Sequence, residues 1–293
     1  MPITAPGFAD ETSAPVPAAA PLDPAWLAAQ LGVPLYQPAL FMPTYPEGAV
    51  GAWRMLRSAF GLDRGYHSGA WAVAGMPGLQ RRGASGQWET WMSLSPLEVE
   101  SQELGCRTSR GHVVVMGLGM GWAAANIALQ PAVDAVTVVE RDPDVIALWE
   151  LTGVARQLPP GVAAKLRIVR HDALQWRPER AVDCLVADIW LQIASDGALA
   201  DVQQMQRNVQ ARQVFFWSQE LVLAAMALRH APADSPRWPE ALELAMAEAG
   251  LPLVGGDMPE GYAAYVARVH ALYAQRRLPS GHGNGSSQAE PTP

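Results

Sequence analysis

The sequence predicts an α/β fold, a mostly parallel, doubly wound sheet with helices on both faces, and three observations predict it. From His112 an apolar run, His-Val-Val-Val-Met, stops at the alternating glycines Gly117, Gly119 and Gly121; an Ala-rich segment follows, and a second apolar run ends on Glu140. That is one strand, turn, helix, strand unit. The alternation repeats through residues 142–217, which implies parallel strands joined by crossover helices. Three carboxylates, Glu140, Asp172 and Asp188, fall at or just after successive strand ends, the edge where open α/β sheets bind ligands.

Taken in order, residues 1–23 are rich in Ala and Pro without periodicity and read as a flexible leader. Residues 24–94 read as an N-terminal capping region with a small β element. Helices are expected at 24–31 and 52–60, with Pro34, Pro38, Pro43 and Pro46 breaking the chain between them. Residues 71–73 and 88–92 are expected to form a hairpin around the turn-rich Arg81-Arg82-Gly83-Ala84-Ser85-Gly86. The main domain is expected over 95–278. It opens on Ser95-Pro96-Leu97-Glu98, with an N-cap serine, proline at the first helical position and glutamate three residues after the cap. That helix is expected to run to about Leu104. Strands are expected at 166–169, 183–187 and 214–217, and helices at 142–149 and 198–210. The C-terminal part reads as helical, at 220–229, 239–249 and 261–275, with a short strand at 251–254 returning to the sheet. Residues 279–293 are low-complexity and expected to be disordered.

Bulk properties narrow the function. Apolar residues make up 49% of the 293, enough for a sizeable core, and the formal charge is −7. An acidic chain with pI near 5.4 argues against electrostatic capture of nucleic acid or anionic lipid as the main activity. The bias is towards small molecules. The two cysteines, Cys106 and Cys184, fit no metal-ligand pattern. There is no apolar stretch of membrane-spanning length, and the N-terminus lacks the features of a signal peptide; a cytoplasmic protein without a membrane partner is the expectation. Whether it forms a homo-oligomer is open.

The unit from His112 to Glu140 has the chemistry of a nucleoside-cofactor site. Glycines let the backbone turn sharply and a ligand approach, and exposed amides at a helix start favour polar or anionic groups. Glu140 is placed to accept from a ribose diol. A dinucleotide fingerprint would need a third glycine where Trp122 stands, and no Gly-Lys-Ser/Thr follows to make a phosphate-binding loop.

The spacing Gly-x-Gly-x-Gly, with a carboxylate nineteen residues after the last glycine, resembles the class I S-adenosylmethionine (SAM)-dependent methyltransferase superfamily, and within it the spermidine-synthase-like branch. The resemblance rests on Val-Val-Val-Met-Gly-Leu-Gly-Met-Gly, Val-Val-Glu-Arg-Asp-Pro-Asp-Val-Ile (138–146), Arg-His-Asp-Ala (170–173) and Val-Asp-Cys-Leu-Val-Ala-Asp (182–188), roughly the central hundred residues. It implies a Rossmann-like fold and SAM as cofactor. By that likeness Gly117, Gly119 and Gly121 face the methionine part, Glu140 holds the ribose, Asp172 and Ala173 lie against the adenine, and Asp188 sits beside the sulfonium and the acceptor. Gln87 and Glu98 fall at the spacing of a glutamine and a glutamate of the spermidine synthases. Met120 stands where that family carries an acid, and the acids and tyrosine expected between Gln87 and Glu98 are replaced. Trp122 and Trp190 are candidate walls for a sulfonium, held by cation–π attraction. Glu220 follows the last strand and points towards the same edge.

Simpler readings stand beside these. Asp172 and Asp188 are good caps for a turn or helix, Glu98 is explained by a capping box, Glu220 by a helix start, and each tryptophan by core packing. The function expected is methyl transfer from SAM to a small or medium-sized acceptor by direct displacement, with Asp188 orienting or deprotonating it. Aminopropyl transfer from decarboxylated SAM, and a non-catalytic SAM-binding regulatory or assembly protein, are the alternatives.

Overall fold

A computed structural model describes residues 23–255 and 261–277. The leader expected at 1–23, Asp23 apart, and the tail expected at 279–293 lie outside the described residues. The chain enters through α1 (Pro24–Gln30), whose N-cap Asp23 accepts from the Ala25 amide.

Six short strands follow: β1 (Gly48–Val50), β2 (Trp53–Arg57), β3 (Gly61–Arg64), β4 (Ala70–Val73), β5 (Pro77–Arg82) and β6 (Trp88–Ser93). Four of them pair antiparallel in the order β1-β2-β5-β6, while β3 and β4 form a separate hairpin. This corrects two expectations. Residues 52–60 are not helical: Trp53 and Met55 are buried while Arg54 and Arg57 are not. That is the period of a strand, and pairing with β1 on one side and β5 on the other satisfies its backbone. Residues 71–73 pair with β3 rather than with 88–92. The partner of β6 is β5, whose strand runs into Arg81 and Arg82, leaving the turn to residues 83–87.

The second layer system begins with α2 (Pro96–Thr108), capped by Ser95 Oγ accepting from the Glu98 amide and extending past Leu104. It continues through β7 (Gly111–Met116), α3 (Trp122–Ala128), β8 (Val133–Glu140), α4 (Pro143–Thr152), α5 (Pro160–Ala163), β9 (Leu166–Arg170), β10 (Cys184–Ala187), α6 (Ala198–Val209), β11 (Gln213–Phe216), α7 (Gln219–Ala227), α8 (Trp238–Ala249) and α9 (Tyr262–Arg277). The five strands are parallel, in the order β11-β10-β7-β8-β9. In β7, β10 and β11 both faces are buried, so these strands read as nearly unbroken apolar runs, whereas the edge strand β9 has none of its residues fully buried. Val114, Met116, Leu185 and Phe216 pack with Val202, Met205 and Val209 of α6, and Val113, Val115, Val186 and Phe215 join the larger core with α2, α3 and α7. Each such side chain removed from water contributes about 1.5–3 kcal/mol. Leu253 returns to the edge as a single parallel bridge to Val214. Both cysteines are unpaired and buried. Among the described residues no helix is long and apolar enough to cross a membrane.

The β sheet of the N-terminal half lies against this core near the start of α4. Trp53 Nε1 donates to Asp142 Oδ2 at 2.9 Å, tying β2 to the N-cap residue of α4.

Candidate functional site

From β7 the chain winds outward through β8 to β9, then crosses back to β10 and β11. The reversal lies between β7 and β10, the switch point at which open parallel sheets splay and hold ligands. A cavity of about 880 Å³ opens there, lined by the ends of β7, β8 and β10, the turn after β9, the start of α2 and one wall of the N-terminal sheet. Small-molecule sites commonly span about 300–1,000 Å³, so the cavity is at the roomy end.

The glycine loop is built by close contacts. Gly117 has φ +97°, and a Cβ on it would meet the Asp188 carbonyl oxygen at 2.0 Å. Only glycine lets the ends of β7 and β10 approach so closely. Gly121, left-handed at φ +72°, caps α3 and lies under the Trp149 ring. Glu140, at the end of β8, accepts from the Leu118 amide at 3.0 Å and from the Asp142 amide at 2.8 Å. One carboxylate thus joins the glycine loop to the start of α4. Asp172 Oδ1 accepts from the Leu174 amide at 2.8 Å, so it caps its turn and also lines the cavity beside Ala173 and His171.

The deep wall holds two carboxyl groups, Glu98 from α2 and Asp188 from the end of β10. Gln102 Nε2 donates to Asp188 Oδ2 at 2.7 Å, and Gln102 Oε1 is buried without a partner. Burial pushes Asp188 up to about 7, with the Gln102 hydrogen bond pulling the other way. Burial first, and then the Asp188 charge, hold Glu98 well above the usual carboxylate range. Two acids this close in a poorly solvated wall do not both ionise readily, so the pair retains a proton near neutrality. Gln102 was absent from the sequence reading. The signal available was its position four residues after Glu98 on one helix, which places both on one face.

The facing wall comes from the N-terminal sheet, and sequence reasoning missed it too. Trp53 and Trp91 meet edge to face, with ring centroids 5.2 Å apart and planes at 78°. Arg81 lies over both, its Cζ 5.4 Å from Trp53 and 5.7 Å from Trp91. All three line the cavity.

Among the residues expected at the site, Gly117, Gly119, Gly121, Glu140, Asp172, Ala173, Asp188, Glu98, Met120, Trp122 and Trp190 line this one cavity. Trp190 Nε1 donates to Asp201 Oδ2 at 2.9 Å, anchoring its indole to α6; Trp122 Nε1 is buried without a partner. Two residues are not brought there. Gln87 is exposed in the turn joining β5 and β6, because the hairpin register carries that turn away from the cavity. Glu220 is fully buried, turned inward by the first turn of α7 to accept from Tyr66 Oη at 2.9 Å. Burial pushes it up to about 7.

No family model matches the chain, and no curated protein matches it. Among solved structures, the chain is similar to a DhpI–SAH complex at 21% identity over 34% of this chain and 44% of that one, TM-score 0.26. It is similar to the glycopeptide N-methyltransferase MtfA complexed with S-adenosyl-L-homocysteine (SAH) at 21% identity over 38% and 41%, TM-score 0.29. It is similar to the methyltransferase domain of bacterial CtHen1 at 14% identity over 40% and 64%, TM-score 0.30. In each of the three, the matched part is less than two thirds of the neighbour's own length.

Proposed function

We propose that the chain is a SAM-dependent methyltransferase-like enzyme that transfers a methyl group to a small or medium-sized acceptor by direct displacement. The observation that carries this reading is the convergence of the Gly117–Gly121 loop, Glu140, Asp172 and Asp188 on one cavity at the switch point.

The residues fit the cofactor. Each oxygen of Glu140 accepts one backbone N–H, which leaves a lone pair on each for a ribose diol. Asp172 uses Oδ1 on its own turn and keeps Oδ2 for an exocyclic amine. Bound SAM would supply a methyl group activated on a sulfonium, for which positioning is the chief requirement. The protein's own residues supply the rest. Asp188, with Glu98 beside it, takes the proton the acceptor releases; Gln102 orients the Asp188 carboxylate; Trp122 and Trp190 wall the site.

The sequence motifs resemble those of the spermidine-synthase-like branch, but methyl transfer is favoured over aminopropyl transfer. A dicationic acceptor needs several ionised carboxylates, and the deep wall offers Glu98 and Asp188 sharing a proton, with Met120 apolar beside them. Calorimetry with SAM, SAH, decarboxylated SAM and NAD tests the reading. SAM and SAH are expected to bind; binding of NAD alone would sink it. Release of SAH from SAM on incubation with metabolite pools then separates an enzyme from a silent binder.

A further inference from the structure

The strands of the N-terminal half carry a charge bias opposite to that of the whole chain. Residues 48–93 contain five arginines and only two acids, whereas the protein is net −7. The arginines are not scattered. Arg54 and Arg82 lie over Trp88, at 4.4 and 4.8 Å, and Arg81 lies over Trp53 and Trp91. Of these, Arg81 alone lines the cavity.

Arg81 is exposed. Arg54 is engaged by Gln80, but Arg81 makes no ion pair or side-chain hydrogen bond among the described residues. A guanidinium lying over aromatic rings keeps its N–H edge available, and that fork matches the two oxygens of a carboxylate or phosphate. The stack also restricts the side chain before any ligand arrives, which lowers the ordering cost of binding. Nearby acids do not neutralise it by contact. Asp142, which also lines the cavity, is occupied by Trp53 Nε1 and the Asp144 amide. A second arginine on the lining, Arg141, is likewise exposed and unpaired among the described residues. Of the two indoles below Arg81, Trp53 is buried and supports the half-buried Trp91 edge to face, so Trp91 presents the apolar surface next to the charge.

We propose that the acceptor is a small planar acid, a carboxylate or phosphate whose anionic group is received by Arg81 while its ring lies against Trp91. This rests on the reading of the cavity as a SAM site and names the acceptor class for it. Such an acceptor enters charge-end outward, with its nucleophile directed to Asp188 in the deep wall. Arg81 is a specificity residue here.

The test is calorimetry on the full chain with SAH saturating, using benzoate, phenyl phosphate, benzylamine and putrescine as probes. At least one of the two anions is expected to bind, and neither amine. Whichever anion binds more tightly assigns the group as carboxylate or phosphate. Arg81→Ala should weaken anion binding by about tenfold or more, the loss expected of a charge-assisted pair. Arg82→Ala, the same charge change off the cavity, should stay within about twofold of wild type. SAH affinity should be the same in all three proteins. The proposal is overturned if neither anion binds, if an amine binds as tightly as the anions, or if Arg81→Ala binds them like wild type. It is also overturned if Arg81→Ala loses SAH, since the guanidinium would then serve the cofactor carboxylate. Failure of wild type to bind SAH would instead remove the SAM reading. The same four probes titrated into the ligand-free protein then decide the Arg81 site by itself.

Discussion

Gln102 donates from Nε2 to Asp188 Oδ2 across 2.7 Å, and this is the contact that opposes burial in setting the Asp188 proton affinity. A base must be unprotonated to work, so kcat/KM should rise with pH through about 7 and level off above it. Replacing Gln102 with leucine removes the hydrogen bond and raises Asp188 further. The rising limb of the pH–rate profile should move to higher pH, with the plateau rate changed less. A limb that stays in place would remove Gln102 as a positioning residue.

Asp188→Asn keeps the Gln102 contact in shape but cannot accept a proton. Turnover should fall by about 10²–10⁴, the usual contribution of a general base, with SAH affinity by calorimetry nearly unchanged. An equally active variant would take Asp188 out of the mechanism.

Glu140 fastens the Leu118 and Asp142 amides to the end of β8. Glu140→Ala should cost about tenfold or more in SAH affinity, through loss of a charge-assisted acceptor pair and loosening of both loops. Calorimetry reads this directly, and an unaltered affinity would contradict the ribose role.

The glycine loop should tolerate substitution unevenly. At Gly121 an added Cβ would lie 2.1 Å from the ring of Trp149 at φ +72°, whereas at Gly119 it would meet the Met92 Sδ at 2.8 Å. Trp149 is buried and cannot swing aside, while a methionine side chain is flexible. Gly121→Ala should destabilise the protein by about 2–4 kcal/mol in urea unfolding, and Gly119→Ala by less. Equal losses would mean that strain rather than Trp149 sets the cost.

Glu220 predicts a pH dependence of stability. Its native proton affinity corresponds to about 7, against 4.5 for an ordinary glutamate, so between those values the native state holds more protons than the unfolded one. Stability therefore falls as pH rises from 4.5 to 7 and is flat above. The shift corresponds to about 3 kcal/mol, and Asp188 adds a decline of the same sign. Glu220→Gln should flatten part of this slope in unfolding series from pH 5 to 8. An identical slope would show that Tyr66 and its neighbours hold Glu220 ionised throughout.

Local pattern reaches its limit in the N-terminal half. The 52–60 segment has a composition compatible with helix, and its identity as β2 comes from partners at Gly48 and Arg81, which local periodicity does not contain. The helix start at Ser95 and the alternation of strands and helices after it are the opposite case, because capping chemistry and apolar runs are local properties.

The sequence alone determined the parallel sheet, the glycine loop and the strand-end carboxylates Glu140, Asp172 and Asp188, since each follows from residue type at a fixed offset from an apolar run. Tertiary structure decided what faces them. It buried Glu98 against Asp188 with Gln102 between, turned Glu220 towards Tyr66 and away from the cavity, left Gln87 in solvent, and brought Arg81, Trp53 and Trp91 over the site from another sheet. Those choices depend on how layers distant in the chain pack and which groups they desolvate, and neither is written in the spacing of neighbouring residues.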